Sequence, residues 1–188
     1  MTTVHLEKKL LTVSDYEAMY QAGILREDER MELLNGEIIL MSPTGPKHSG
    51  IVNRVSNFIK SLFQLRAIIA VQNPVKIPPN SEPEPDLVIL KPREDFYSEF
   101  HPMPADIWLI IEVSESTLDK DTLIKLPIYA QAGIPHYWII NIPEKRLEAY
   151  SGPTGMHYKL RQLYFQEDTI LVPPFDLPVK VSDLVGNW

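Results

Sequence analysis

The chain reads as one α/β domain over residues 1–188, and three patterns predict this fold class. DLVIL, beginning at Asp86, and ADIWLIIEVS, beginning at Ala105, are almost unbroken apolar runs, as central strands covered on both faces require. From His48 to Arg66 the apolar residues Ile51, Val52, Val55, Phe58, Ile59 and Leu62 recur at helical spacing. Asn53, Asn57, Lys60 and Gln64 fall opposite them, so an amphipathic helix packed on a sheet is predicted. No repeat, linker or low-complexity block interrupts the sequence.

The elements follow in order. Ser14 and Glu17 stand at capping-box spacing, which predicts a first helix starting at Ser14 and stopping at Gly23. MELLNGEIILM holds two apolar-rich runs about Asn35-Gly36, the pair favoured in a type I′ turn because both positions need positive φ. A hairpin is predicted, pairing Leu34 with Glu37 and Glu32 with Ile39. Beyond the amphipathic helix, VQNPVKI is expected as a strand and the Pro-rich, acidic IPPNSEPEP as a surface connection.

After the two central strands a second helix is expected from Thr117 to Ala132. Gly133 stops it, and Pro127 bends it by withholding a backbone N–H. YWIIN is a buried strand, and KRLEAYSGPTGMHYKLRQLYF a meander turning at SGPTG. The last 20 residues read as irregular edge and tail. Trp108, Tyr137 and Trp138 read as core aromatics.

Composition narrows the function classes. A net charge of −7 argues against a protein that coats nucleic acid through bulk charge. It leaves room for a local site, because metal ions reverse the sign where carboxylates cluster. With no cysteine, disulfides, thiolate-held zinc and cysteine nucleophiles are excluded. The N-terminal MTTVHLEKKLLTV has no apolar core with a cleavage site, and no apolar run approaches the ~20 residues of a membrane span. A cytoplasmic protein without a membrane partner is the expectation.

Two carboxylates stand where charge is costly. Asp86 opens one apolar strand and Glu112 interrupts the other, so each must be paired, hydrogen-bonded or bound to metal. At about 100° per residue, Lys125 shares a helical face with Leu118, Asp121, Thr122, Tyr129 and Ala132, while Lys120, Pro127 and Gln131 point away. Two carboxylates and one lysine leave excess negative charge, which a divalent cation would correct. Phosphodiester hydrolysis uses the same parts: oxygen ligands for a metal, a metal-activated water, and a lysine that orients it. Asp and Glu without His or Cys favour Mg²⁺ or Mn²⁺ over zinc. Plainer roles are a turn-capping Asp86, a structural Glu112–Lys125 ion pair, and a Lys125 that snorkels to the surface. His48 shares its helix's apolar side with Val55 and Ile59, either facing the site or satisfied in the core.

ERMELLNGEIILMSP, His48, PEPDLVIL, DIWLIIEVSEST and the run from Asp121 through Lys125 and Tyr129 to AGIPHYWII together resemble the Uma-type restriction endonuclease family of the PD-(D/E)XK nuclease superfamily. The resemblance spans about residues 10 to 185. It implies a restriction-endonuclease-like fold, a mixed central β-sheet flanked by α-helices, and a Mg²⁺-dependent DNA endonuclease. The Pro-Asp element falls on Pro85-Asp86, and the Glu-x-Lys element begins at Glu112. Ser114 stands where that element carries lysine, and in this family the lysine resembles Lys125 on the next helix. By the same resemblance Asp86, Glu112 and Lys125 are catalytic and Asp86 and Glu112 bind metal. Glu32 would be the additional acidic ligand, with Glu37 competing; His48, Asp121 and Tyr129 adjoin the site. DNA is the expected partner, and a homodimer would suit cleavage of both strands. The alternative is a catalytically inactive nuclease-like module that binds nucleic acid or a protein.

Overall fold

The computed structural model describes residues 7–26 and 28–186. Its centre is a six-stranded sheet built from β3 (Ile68–Val71), β4 (Leu87–Leu90), β5 (Ile107–Ser114), β6 (His136–Asn141), β7 (Arg146–Thr154) and β8 (His157–Tyr164), in that spatial order. Only β5 and β6 are parallel, and the rest of the ladder is antiparallel. A parallel pair needs a crossover, here a helical stretch of three segments: α3 (Leu118–Lys120), a π-helical turn (Asp121–Lys125) and α4 (Leu126–Gln131).

Alternation along the strands sends side chains to two cores. Leu87, Ile89, Leu109, Ile111 and Val113 meet Val52, Val55, Ile59 and Phe63 of α2 (Pro46–Phe63) on one face. Val88, Leu90, Ile110 and Ile139 meet Ile128 and Tyr129 of α4 on the other. All four β4 residues are buried, as double coverage predicts. Tyr137 and Trp138 are buried, whereas Trp108 is only partly covered and packs edge-on to Phe175. Among the described residues no helix is long and apolar enough to cross a membrane.

The hairpin of β1 (Met31–Leu34) and β2 (Glu37–Leu40) has the predicted register, Leu34 opposite Glu37 and Glu32 opposite Ile39, with Asn35 and Gly36 both at positive φ. It forms a separate two-stranded sheet. At Gly36 a Cβ would lie 2.7 Å from Leu10 Cβ and 3.0 Å from the Leu11 carbonyl, at a φ of +81°. Gly36→Ala is therefore expected to cost about 2 kcal/mol, from left-handed strain plus that clash, seen as a lower urea midpoint with an unchanged m-value.

Several sequence expectations shift. The first helix, α1 (Val13–Gln21), is capped two residues earlier than expected: Thr12 and Asp15 exchange both capping bonds, and Ser14 lies inside the helix. The strand expected at VQNPVKI ends at Val71, because Gln72 adopts a φ of 52° and Pro74 has no N–H. IPPNSEPEP does not run over the surface throughout. Ser81, Glu82, Pro83 and Pro85 are buried, and Glu82 exchanges backbone bonds with Leu33. β7 continues through the expected turn, which sits instead at Gly155-Met156. The last 20 residues, apart from Asn187 and Trp188 outside the described set, are ordered. They form the β9 (Thr169–Val172)/β10 (Leu177–Lys180) hairpin and α5 (Val181–Val185), whose Val181, Leu184 and Val185 complete the α2 core.

One buried carboxylate on the sheet has every need met locally. Glu148 of β7 accepts from Arg146, Arg161, Tyr150 and Asn141. Burial alone would raise its pKa, but those donors hold it below the usual carboxylate range. Glu148→Gln is expected to cost about 2 kcal/mol by weakening charge-assisted bonds, read as a lower urea midpoint.

Candidate active site

The parallel strand β5 carries Glu112 at its C-terminal half, with its side chain on the α4 face. Asp86 precedes β4, antiparallel to β5, so the two carboxylates arrive side by side. The Asp86 N–H donates to Glu112 Oε2 at 3.3 Å, and the Val113 N–H donates to Asp86 Oδ2 at 2.9 Å. His48, in the first turn of α2, places Nε2 3.1 Å from the same Asp86 oxygen. Gln72 Nε2 lies 3.4 Å from Asp86 Oδ1.

Lys125 comes from the opposite side. Its ammonium donates to Glu112 Oε1 at 2.9 Å and lies 3.1 Å from Glu32 Oε2, with only 2% of the side chain exposed. Tyr129, one α-turn on and so on the same face, donates its hydroxyl to Glu112 Oε1 at 3.0 Å. Glu32 is fully buried and also accepts from Lys120 Nζ at 2.8 Å and the Glu84 N–H at 3.2 Å. Glu37 lies outside the cluster, exposed and paired with Lys8.

The π-turn explains why Lys120 joins this group although a regular helical wheel turns it away. Leu126 N–H bonds the Asp121 carbonyl five residues back. Bonding at i→i+5 brings Lys120 and Lys125 to one side, where about 100° per residue would set them about 140° apart. Pro127, two residues past the end of the turn, cannot donate the bond that would keep the regular spacing. Ser114 fixes the start of this segment: its hydroxyl donates to Asp121 Oδ2 at 2.6 Å, as does Thr117 Oγ1 at 2.7 Å. Thus the residue in the usual lysine position holds down the helix that supplies Lys125.

The electrostatics follow from the count of buried groups. Glu32, Asp86, Glu112 and Asp121 are all buried and face two ammonium groups. Burial pushes Glu112 up to about 8 against the pull of Lys125, with Asp121 and Asp86 adding to the rise. Burial also raises Asp121. Burial opposes charge on Asp86 and Glu32 as well, yet His48 and the Val113 N–H hold Asp86 below its usual range, and Lys125 and Lys120 do so for Glu32. Burial works against the Lys125 ammonium, but Glu112, Glu32 and Asp121 outweigh it and keep it protonated. The hydrogen bond to Asp86 raises His48.

These groups floor a cleft of about 260 Å³, walled by the Arg30–Glu84 ion pair, Thr117 and Lys120. Among the described residues no three His, Asp or Glu side chains form a ready metal cage. Mg²⁺ does not require one, since it commonly binds one or two carboxylates and completes its octahedron with water and substrate oxygens. Asp86 Oδ1 and Glu112 Oε2 each have only one long contact, and the cluster carries surplus negative charge. That donor set fits a hard divalent cation.

Asp86, Glu112, Lys125, Glu32, His48, Asp121 and Tyr129 are thus one connected group. Lys120 and Gln72 were not legible from sequence periodicity. Only the placement of Pro127 hinted at the irregular turn that brings Lys120 in.

A mixed sheet flanked by helices, with an acidic and lysine-bearing cleft at the β4–β5 junction, defines the restriction-endonuclease-like class of fold. The chain belongs to the Uma2 family, described as "Putative restriction endonuclease", whose model matches residues 13–182. The fold is similar to the crystal structure of a putative nuclease belonging to DUF820 from Anabaena variabilis. That comparison has a TM-score of 0.72 and 18% identity, and covers 93% of this chain and 97% of the other. Among curated proteins none matches the chain.

Proposed function

We propose that this chain is a metal-dependent endonuclease that hydrolyses DNA phosphodiester bonds in the cleft floored by Asp86 and Glu112. The observation that carries the reading is Lys125, delivered by the helix after β5 to within 2.9 Å of Glu112 in place of a lysine at Ser114. Asp86 and Glu112 would hold Mg²⁺ or Mn²⁺ through their less engaged oxygens. Such an ion, when bound, supplies charge neutralisation at the phosphate and a more acidic water.

The protein's own groups do the rest. Lys125, kept cationic by Glu32 and Glu112, orients the attacking water and offsets charge on the scissile phosphate. Glu32 has its oxygens engaged by Lys125, Lys120 and the Glu84 N–H. This favours a part in holding the two lysines over direct ligation. His48 and the Val113 N–H both engage Asp86 Oδ2, which turns Oδ1 toward the cleft. Tyr129 fixes the Glu112 rotamer through Oε1.

A silent nuclease-like module that binds nucleic acid or a protein is the second reading. It is favoured by Lys125 already pairing with Glu112, and by the lack of a ready three-residue cage among the described residues. Titration calorimetry with Mn²⁺ separates the two. The enzyme reading expects saturable uptake that Asp86→Asn weakens at least tenfold; no heat, or uptake indifferent to Asp86, favours the silent module.

A further inference from the structure

A second cavity shares Glu84 with the cleft. It holds about 400 Å³ and is lined by Tyr16, Glu17 and Tyr20 of α1 together with Glu82, Glu84 and His101. Its charges are unequally matched. Glu17 pairs with Lys76 and Glu84 pairs with Arg30. Glu82 has no such partner: it is only 8% exposed, and its Oε2 is buried without a hydrogen-bond donor among the described residues.

A buried carboxylate oxygen without a donor is costly, and in native proteins it calls for a missing partner. Among the described residues none donates to it, and Lys76, which acts on it through space, is paired with Glu17. The Glu82 backbone is committed to Leu33, and the Tyr16 hydroxyl donates to the Met31 carbonyl while facing the Tyr20 hydroxyl at 3.3 Å. The two tyrosines stand edge to face, 5.1 Å between centroids, as an aromatic wall beside the carboxylate. Carboxylate floor and aromatic wall form the combination that selects an organic cation, through charge-assisted hydrogen bonds and cation–π attraction. The cavity is also within the usual size range for small-ligand sites.

We infer that the cavity between α1 and the Ser81–Glu84 segment is a binding site for an organic cation, an alkylammonium or alkylguanidinium group, held by Glu82 against Tyr16 and Tyr20. The state of Glu82 agrees with this. Burial pushes its carboxyl up to about 7 despite Lys76, with Glu17 adding to the rise, so a cation bound beside it would favour the ionisation that burial opposes. The inference needs no metal at the cleft and stands apart from the nuclease reading.

The test is titration calorimetry of the full chain at pH 8 and low salt with n-butylammonium, n-butylguanidinium and the neutral n-butanol. Saturable heat is expected from both cations and none from the alcohol. Glu82→Gln, which keeps shape and removes charge, is expected to weaken cation binding at least tenfold. Tyr20→Leu is expected to weaken it several-fold with circular dichroism unchanged. A capped arginine amide added as a further probe tells the sources apart. Binding by it extends the site to a partner's side chain, refusal restricts it to free amines, and either result sustains the assignment. Equal binding by Glu82→Gln, equal binding of n-butanol, or no saturable heat from either cation overturns it.

Discussion

Replacing Lys125 with methionine is expected to lower the unfolding free energy by about 3–5 kcal/mol, because it strips the counter-charge from two buried carboxylates. Lys125 is 2% exposed and lies between Glu112 and Glu32. Methionine retains most of the side-chain volume, so the loss is electrostatic rather than a cavity. On the proposed function it also abolishes cleavage. Glu112→Gln added to Lys125→Met is expected to recover part of the lost stability, since one unpaired charge disappears with its partner. A double-mutant cycle measured by urea denaturation reads this coupling. Additive losses would mean that Lys125 and Glu112 do not depend on one another. A Lys125 that snorkelled to the surface could be truncated at little cost to the fold, but at 2% exposure its burial sets that role aside.

Asp86→Asn is the cleaner lesion. Asparagine can still present one oxygen, in the place of Oδ2, to both the Val113 N–H and His48, so the fold is expected to lose about 1 kcal/mol. Cleavage is expected to fall by at least about a thousandfold, as befits removal of a ligand charge from a hydrolytic metal site. The difference between these two variants locates the site's two functions. On the proposed function Lys125 serves fold and chemistry together, whereas Asp86 serves chemistry far more than the fold.

The fold class was legible because burial on both faces writes unbroken apolar runs, and those runs became β4 and β5. The Asn35-Gly36 hairpin was legible down to its register, since few residue pairs accept positive φ twice in succession. The C-terminal 20 residues were not. Short apolar pieces such as Thr169–Val172 and Val181–Val185 gain their order only from the α2 surface on which they pack, and no local period announces that.

At the site, costly charges on apolar strands pointed to Asp86 and Glu112, and helical periodicity turned Lys125 inward. Periodicity failed at Lys120, because a wheel assumes uniform winding and the turn before Pro127 is π-helical. From sequence, Ser114 was only the place that the lysine, matched by Lys125 on the next helix, had left. In the structure its hydroxyl anchors Asp121 and with it the segment bearing Lys125. Glu32 and Glu37 were indistinguishable as neighbours on one hairpin. Only three-dimensional placement separates a fully buried residue from one paired with Lys8 at the surface.

The central claim is that Asp86, Glu112 and Lys125 form a metal-dependent site that cuts DNA. The direct measurement is conversion of supercoiled plasmid to nicked or linear form by wild type and Asp86→Asn, side by side, in Mg²⁺ or Mn²⁺ and in EDTA. The expected result is cleavage by wild type only with metal, none in EDTA, and none by a fully folded Asp86→Asn. Cleavage that persists in Asp86→Asn or in EDTA, or a folded wild type that never cuts with either metal, would contradict it.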